Sequence, residues 1–214
     1  MPYNPRSSIT DQVKASVASS LHNLRHTEDD SSAAEPPYLD CLVLHSPFPD
    51  PIQTAEAWQA MELHVPHSAR TLGISNIYSL PLLEALYRSA KVKPSVVQNR
   101  FYADSLYDQD VRAFCEAQGI TYQSFWTLTA NPHLESSEVV AGLAKEAGVS
   151  RAVALYSLVL GLGRVSVLDG TTKLERMKAD VEGVEKVDAW RAERPDDWRR
   201  LLSAFEGLLQ RPDV

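Results

Sequence analysis

Cysteine is scarce in this sequence, in which Cys41 and Cys115 are the only two among 214 residues. Both lie in apolar segments, so they fit neither a disulfide framework nor the spacing of a zinc site. Long apolar runs are also lacking: the longest, 152–163, is too short to span a bilayer, and residues 1–6 lack the apolar core of a signal peptide. We therefore expect a cytoplasmic protein with buried, reduced thiols and no metal site.

The sequence also lacks a basic block and the glycine-rich motifs that bind phosphate. Its formal net charge is -7, so an extended contact with nucleic acid or an anionic membrane is not expected. Neither a Walker loop nor a Gly-x-Gly-x-x-Gly fingerprint occurs, and Gly161-Leu162-Gly163 follows a predicted helix instead of a strand. A Rossmann fold is thereby disfavoured, and small molecules or proteins are the expected partners.

The stretch 38–47 has the clearest strand pattern. An apolar run from Leu39 to Leu44 stops abruptly at His45. Such a run is typical of a strand buried on both faces of a parallel sheet, and ligands bind at the carboxyl ends of strands in strand-helix folds. His45 is therefore a candidate site residue, and a core histidine bonded to a backbone carbonyl is the alternative.

Four further strands are predicted, and amphipathic helices separate them. The five predicted strands are 39–44, 70–75, 95–97, 120–125 and 165–168. This alternation indicates an α/β fold of strand-helix units with right-handed crossovers, as in part of a barrel or an open sheet. We expect a single domain over 1–214, with a lead-in at 1–8, an exposed acidic loop at 27–37 and a tail helix within 186–214.

Two helix predictions are specific enough to compare with a structure. Asp108 is expected to lead a helix that follows the third strand. A later helix over 173–184 is expected to bury Leu174, Met177 and Val181, because these apolar residues share one helical face.

Each predicted strand ends in polar or aromatic residues, and strand ends of this kind share one rim of a barrel. They are His45-Ser46, Ser75-Asn76, Gln98-Asn99, Phe125-Trp126 and Thr171-Thr172. Each has an ordinary structural explanation as well: a serine and an asparagine can cap the next helix, and aromatic residues can belong to the core. Five such ends together favour a lined pocket.

In their order along the chain, these segments resemble the aldo-keto reductases. The segments that carry the resemblance are Tyr38–His45, Leu72-Gly-Ile-Ser75-Asn76, Val97-Gln98-Asn99 with Tyr102, Gly119-Ile120 with Phe125-Trp126, and Thr171-Thr172 with Arg176. The resemblance covers about 9–185 and is strongest to fungal members. It implies a partial (β/α)8 TIM barrel of about five C-terminal strand-helix units plus a C-terminal helix. It also implies NADPH-dependent reduction of an aldehyde or ketone, in fungal secondary metabolism.

The resemblance implies roles at the reactive end of the cofactor. By position, His45 matches the histidine that orients the substrate carbonyl. Ser75, Asn76 and Gln98 match the side chains that hold the nicotinamide carboxamide, which amides and hydroxyls suit as donors and acceptors. Phe125 falls where the family has an aromatic ring, usually tyrosine, stacked on the nicotinamide.

The resemblance also implies contacts at the phosphates. Trp126 and Leu128 match the pyrophosphate-facing loop. Thr171, Thr172 and Arg176 match the segment that holds the adenosine phosphate, where backbone N–H groups at a helix start and a guanidinium both favour an anion.

Three catalytic groups of the family, an aspartate, a tyrosine and a lysine, have no counterpart in this sequence. We interpret the chain as N-terminally truncated, or as the product of a shortened gene model. Tyr78 and Tyr102, near strand ends, are the phenols that we nominate as substitute acids. Gly170 stands where many members carry a phosphate-binding lysine, so NADH is a candidate cofactor beside NADPH.

The departures leave alternatives open. The chain is either a reductase, or a degenerate member that binds a nucleotide or a protein without turnover, or a lyase or isomerase that uses His45 for proton transfer. An incomplete barrel would expose two sheet edges. We therefore expect a second copy, a partner chain or a rearranged N-terminal helix to cover them.

Overall fold

The computed structural model describes residues 4–24 and 37–210. The predicted acidic loop at 27–37 lies almost entirely outside these residues, as do the first three positions of the lead-in and the last four of the tail. Residues 4–8, the described part of the lead-in, contain no helix or strand, as predicted.

The described chain alternates between helices and strands. The strands are β1 (Leu39–Leu44), β2 (Ala69–Ser75), β3 (Pro94–Arg100), β4 (Thr121–Phe125) and β5 (Val165–Val167). The helices are α1 (Ile9–Asn23), α2 (Pro51–Glu62), α3 (Leu80–Ser89), α4 (Gln109–Ala117), α5 (Pro132–Glu135), α6 (Glu138–Ala147), α7 (Arg151–Leu160), α8 (Leu174–Glu193) and α9 (Pro195–Leu209). A 3-10 helix over Ala103–Asp108 precedes α4.

The strands form a sheet whose hydrogen-bonded order, β1-β2-β3-β4-β5, is also their order in the chain. Strands β1 and β2 are parallel, with Leu44 opposite Ile74, and β4 and β5 are parallel, with Tyr122 opposite Val165. The predicted α/β fold of strand-helix units is confirmed. By its contacts the chain separates into two compact units, residues 1–97 and 98–214.

The first unit is organised around Trp58, which lies on α2. This helix begins where Asp50 accepts a hydrogen bond from the Ile52 N–H at 2.9 Å and Pro51 takes the first helical position. The Trp58 side chain is only 1% exposed, and its indole N–H donates to the Val92 carbonyl at 3.0 Å. The buried indole thus anchors α2 to the chain that leads into β3.

Gly73 allows close packing at the middle of β2. A Cβ atom at this position would lie 3.0 Å from Val96 Cβ and 3.2 Å from Val43 Cγ2. Those distances are shorter than ordinary van der Waals contact, so a side chain here would force a neighbour to move. The glycine of the Leu72-Gly-Ile-Ser75-Asn76 segment therefore has a packing role.

The second unit is built around α7, whose sequence is apolar on nearly every face. Seven of its ten residues are buried, and it packs against α6, α8 and β5. Ser150 caps its start by accepting from the Val153 N–H at 3.1 Å. A helix that is apolar all round is stable only when it is enclosed by other elements, as this one is.

The helix α8 corrects two predictions. It continues to Glu193 instead of ending near residue 184, and the three residues expected to be buried, Leu174, Met177 and Val181, are 64%, 42% and 61% exposed. Close packing begins only at Gly183, where an added Cβ would lie 2.9 Å from the Val153 side chain. The apolar face at the start of α8 finds no enclosing element among the described residues.

Asp108 directly precedes α4, as predicted, although its side chain forms no cap hydrogen bond to the helix. Its backbone is left-handed, with φ 51°, and the two preceding residues, Leu106 and Tyr107, are left-handed as well. The carboxyl group instead accepts hydrogen bonds from Asn99 Nδ2 at 2.7 Å and from the Tyr122 hydroxyl at 2.9 Å. Asp108 therefore stabilises the core of the second unit.

Burial changes the pKa of the Asp108 carboxyl group. Desolvation raises the pKa of Asp108, although the hydrogen bonds from Asn99 and Tyr122 and the charge of Arg112 oppose the shift. Desolvation also lowers the pKa of Arg112, whose Nε donates to the Tyr107 carbonyl at 2.8 Å. Asp108 is only 4% exposed, so its carboxyl group must ionise inside the protein, shielded from solvent.

We expect the stability of the protein to fall as pH rises through the ionisation of Asp108. The unfolded chain loses this proton near the ordinary aspartate pKa, about 4, whereas the folded protein keeps it to higher pH because its pKa is raised. The resulting stabilisation is complete below about pH 4 and disappears above the raised pKa. Urea unfolding between about pH 4 and 7 should show wild type losing stability relative to Asp108→Asn. A constant difference would contradict this expectation.

Both cysteines are free thiols. Cys115 is fully buried, and burial raises its pKa to about 12. Cys41 is half-buried, and its pKa is raised mainly by burial as well. The prediction of buried thiols is confirmed for Cys115 and only in part for Cys41.

Candidate functional site

His45 and Asn76 lie close together in the first unit, at the carboxyl ends of β1 and β2. The side chain of Asn76 donates a hydrogen bond from Nδ2 to the backbone carbonyl of His45 at 2.7 Å. Asn76 has a left-handed backbone with φ 55°, a conformation that asparagine tolerates better than most residues. The two strand ends are therefore tied together by a side chain.

Ser75 and Tyr78 complete this group. Asn76 Nδ2 also lies 3.2 Å from Ser75 Oγ, and the Tyr78 hydroxyl donates to Asn76 Oδ1 at 3.3 Å. Ser75 is buried, whereas Tyr78 is exposed. The alternative in which Ser75 and Asn76 cap the next helix is wrong, because Ser79 caps α3 by accepting from the backbone N–H of its third residue at 3.4 Å.

The imidazole of His45 is exposed, and it makes no hydrogen bond to the residues that the structure describes. The alternative of a core histidine bonded to a carbonyl is therefore wrong. His45 lines a cavity of about 560 Å³ that lies entirely within the first unit. Its backbone is fixed by Asn76, while its ring is accessible to a ligand.

In the second unit, the end of β3 carries Gln98 and Arg100. Gln98 Nε2 donates to Gln123 Oε1 on β4 at 3.1 Å. The Arg100 guanidinium carbon lies 4.2 Å from the centroid of the Trp126 ring and 5.0 Å from that of Tyr102. Both distances are those of cation–π contacts. Arg100 was missed by the sequence analysis, although its place two residues after Gln98 puts it at the same strand end.

Phe125 is the last residue of β4 and Trp126 follows it. Their rings contact edge to face, with ring centroids 6.5 Å apart and planes at 88°. The Trp126 ring is 55% exposed. The loop that contains half-buried Leu128 is held by Asn131, whose Nδ2 donates to the carbonyls of Phe101 at 2.7 Å and Thr127 at 2.9 Å. A buried amide thus fixes the loop beneath the exposed indole.

The segment that links β5 to α8 contains Thr171 and Thr172, and Arg176 lies in the first turn of α8. Asp169 Oδ1 accepts from the Thr171 N–H at 3.1 Å, and Thr171 Oγ1 accepts from the Lys173 N–H at 3.2 Å. The helix begins only at Leu174, so both threonines precede it instead of forming its first turn. Thr172 and Arg176 are exposed.

Two carboxyl groups that the sequence analysis missed accompany this segment. Asp180 is within hydrogen-bonding reach of Asp169, and its pKa is raised by burial and by Asp169, while Arg176 opposes the shift. Burial and then the charges of Asp169 and Asp180 raise the pKa of Tyr156 to about 12. Two signals could have found them: Asp169 directly follows a strand, and Asp180 stands four residues after Arg176 on one helical face.

Gly170 lies between Asp169 and Thr171 in open surroundings. No atom comes within 4 Å of the position that a Cβ would occupy. A longer side chain would fit there, so packing does not require a glycine at this position.

Among the described residues, no group of three or more histidine, cysteine, aspartate or glutamate side chains could hold a metal ion. Within the same residues, no helix combines the length and the apolar character that crossing a membrane requires.

Comparisons with known proteins find relatives in sequence and in structure. No family model matches it. It is 27% identical over 176 residues to an uncharacterised oxidoreductase of Schizosaccharomyces pombe, covering 78% of this chain and 62% of that protein. It is also 27% identical over 159 residues to an aldo/keto reductase of Synechocystis, covering 61% of this chain and 48% of that one. The chain thus spans about half to six tenths of the length of these relatives.

Solved structures give the same picture of the fold. A thermostable aldo-keto reductase in complex with the inhibitor epalrestat superposes with a TM-score of 0.69 at 18% identity, over 92% of this chain and 66% of that one. A point mutant of the protein Gox0644 in complex with NADPH superposes with a TM-score of 0.65 at 21% identity, over 84% of this chain and 65% of that one. At these identities the likeness shows the fold, and it is consistent with the predicted partial (β/α)8 barrel.

Proposed function

We propose that this chain, which is related to the aldo-keto reductases by sequence and has their fold, reduces an aldehyde or ketone with a nicotinamide cofactor. The observation that supports the proposal is the group at the ends of β1 and β2. There the exposed imidazole of His45 follows a strand whose end is fixed by Asn76. An imidazole on a fixed backbone can hold a carbonyl oxygen in one orientation.

In this proposal the cofactor residues are those that the family resemblance indicates. Ser75, Asn76 and Gln98 bind the carboxamide. Asn76 Oδ1 already accepts from Tyr78 and has a second lone pair for a ligand N–H. When bound, the nicotinamide supplies the hydride.

The remaining contacts in the proposal lie in the second unit. Phe125 stacks on the nicotinamide ring, and Trp126 and Leu128 face the pyrophosphate. Arg100, stacked on Trp126, adds a positive charge near that loop. Thr171, Thr172 and Arg176 bind the adenosine phosphate, as the family resemblance implies by position, and Thr172 and Arg176 are exposed.

Reduction also requires a proton for the developing alkoxide. We propose Tyr78 as the donor, because its hydroxyl belongs to the hydrogen-bonded group that includes His45 and Asn76. Tyr102, the other phenol considered, packs instead against the Arg100 guanidinium at 5.0 Å. A positioned acid typically contributes about 100- to 10,000-fold, so a poorly placed one makes a slow enzyme.

The charges around Arg176 bear on the choice of cofactor. Asp169 and Asp180 are close enough to perturb one another, and Gly170 supplies no cation. We propose that these carboxylates offset the charge of Arg176, so the chain prefers NADPH over NADH only weakly. The chain would still bind NADPH, with only a small advantage over NADH.

Cofactor preference should respond to both charges. Arg176→Ala is expected to weaken NADPH about tenfold, the loss of one charge-assisted contact, and to leave NADH nearly unchanged. Asp180→Asn should strengthen NADPH relative to NADH. Lys178→Ala, an exposed change on the same helix, is the control and should alter neither affinity. Equal losses for both cofactors in Arg176→Ala would contradict this assignment.

The experiment that tests the function is a titration of the purified chain with NADPH and with NADH, followed by tryptophan quenching and then by a carbonyl screen. Micromolar binding with turnover that falls in His45→Ala supports the reductase. Binding without turnover favours the alternative of a nucleotide-binding member that does not catalyse reduction. No binding of either cofactor would refute the proposal for this chain.

A further inference from the structure

The cavity beside His45 has features that select its ligand. It lies within the first unit, between one face of α1, the end of β1 with the segment that follows it, and the second half of α2, and its volume is about 560 Å³. Helix α1 contributes residues spaced as one helical face, among them Val13, Ser16 and Val17. Small-molecule sites typically measure roughly 300–1,000 Å³, so this cavity has room for a ligand of one to three rings.

None of the described residues that line the cavity is an aspartate, a glutamate, a lysine or an arginine. Most of the residues that surround the cavity are apolar, including Leu42, Leu44, Phe48 and Met61. Within the described lining, the His45 imidazole is the one group that can carry a positive charge, and alone it offsets little of the desolvation of a carboxylate or a phosphate. Anionic compounds are therefore disfavoured as ligands.

The polar groups of the lining are few. His45 and Ser46 are adjacent at the end of β1, while Gln12 and Ser16 lie on α1. A few polar groups in an apolar wall fix the orientation of a ligand more than they add to its affinity. The side chains of His45 and Ser46, at the end of β1, can hydrogen-bond to one oxygen of a ligand.

We propose that this cavity binds a neutral, mostly apolar carbonyl compound whose oxygen meets His45. The inference rests on the proposed function in one respect, that the bound carbonyl is the one reduced. It goes further by naming the substrate class: neutral aromatic or aliphatic ketones and aldehydes, with keto acids and sugar phosphates disfavoured. It also places the ligand on α1, an element that the family resemblance does not assign to any role.

The test uses 6-propionyl-2-(dimethylamino)naphthalene, a neutral ketone whose emission shifts to the blue in apolar surroundings. Wild type is expected to bind it with that shift in the absence of cofactor. Ser16→Phe, which fills the cavity from α1, should weaken binding at least tenfold. Ala15→Phe is the matched control, since Ala15 is also exposed on α1 but does not line the cavity. Equal affinity in the two variants would overturn the proposal.

Charge selectivity is tested with the corresponding naphthoic acid, in which a carboxylate replaces the ketone. The acid should bind at least tenfold more weakly than the ketone at neutral pH. Equal binding would overturn the assignment of a neutral ligand. Circular dichroism of Ser16→Phe shows whether it is folded, and Ser16→Met, a smaller change at the same position, should give a smaller loss in the same direction.

A further control excludes binding on the exposed apolar face of α8. Met177→Glu should leave the affinity for the ketone unchanged, and a loss in this variant without a loss in Ser16→Phe would overturn the cavity assignment. The cofactor titration is independent of this measurement. If the chain binds the ketone but no cofactor, the reductase proposal is refuted and the cavity proposal stands. If it binds a cofactor but not the ketone, the cavity proposal is refuted and the reductase proposal stands.

Discussion

Replacing Asp108 with alanine is expected to lower the free energy of unfolding by about 3–5 kcal/mol, because each buried donor that loses its acceptor costs about 1–3 kcal/mol and two donors are affected. The carboxyl group accepts hydrogen bonds from Asn99 and Tyr122, and it lies near the Arg112 side chain. Alanine would leave these donors without their acceptor in a buried site. Since domains are typically stable by only about 5–15 kcal/mol, the loss is a large share of the total.

Urea denaturation followed by circular dichroism measures this effect. Asp110→Ala, an exposed aspartate in the first turn of α4, is the control and should cost at most about 1 kcal/mol. If Asp108→Ala does not fold, Tyr122→Phe removes a single donor and should cost about 1–2 kcal/mol. Losses of similar size in Asp108→Ala and Asp110→Ala would show that the buried network is unimportant.

The second large effect is expected at Trp58. Trp58→Ala should lower the free energy of unfolding by about 3–5 kcal/mol, because it removes a large buried ring and leaves a cavity. The substitution also removes the indole N–H that donates to the Val92 carbonyl, which would then have to find water or stay unpaired. Trp58 lies in the first unit, whereas Asp108 lies in the second.

Trp126→Ala is the matched control for this measurement. Its ring is 55% exposed, so the substitution should change the free energy of unfolding by less than about 1 kcal/mol. If Trp126 contacts the cofactor as proposed, the same variant should weaken cofactor binding. The result that would contradict the packing argument is a larger loss of stability for Trp126→Ala than for Trp58→Ala.

The elements of this fold were predictable where their signal is local. The apolar run of β1 ends at Leu44, where the chain turns polar, and Ser79 and Ser150 cap helices by accepting hydrogen bonds from N–H groups three residues ahead. Gly148 ends α6 in a left-handed conformation, as a glycine at that position predicts. Each of these features depends on residues that are close in sequence.

Other features depend on neighbours that the sequence does not name. Periodicity placed Leu174, Met177 and Val181 on one face of α8, but it cannot show whether an element covers that face. Asp108 had the residue type and position of a helix cap, yet its left-handed backbone places the carboxyl group near Asn99 and Tyr122 instead. In both cases a tertiary contact, or the lack of one, decided the outcome.

The candidate site, too, was predictable from the sequence only where its signals are local. The strand-end pattern correctly placed His45 and Asn76 after β1 and β2, but the hydrogen bond between them could not be read from the sequence. Arg100 was missed because an arginine beside a strand end is usually a solvated residue, and only the structure shows it stacked on Trp126. The sequence therefore indicated where to look, while the pairing of side chains came from the fold.

The polar network around Asp108 also bears on how the chain avoids wrong strand alignments. If β4 shifted by two residues against its neighbours, the same alternate side chains would still face the core, because side chains alternate along a strand. An apolar core gains or loses little from such a slide. Here it would put Ser124 or Ile120 where Tyr122 stands and would deprive Asp108 of a donor. The buried carboxyl group thereby penalises a misaligned sheet that hydrophobic packing alone would tolerate.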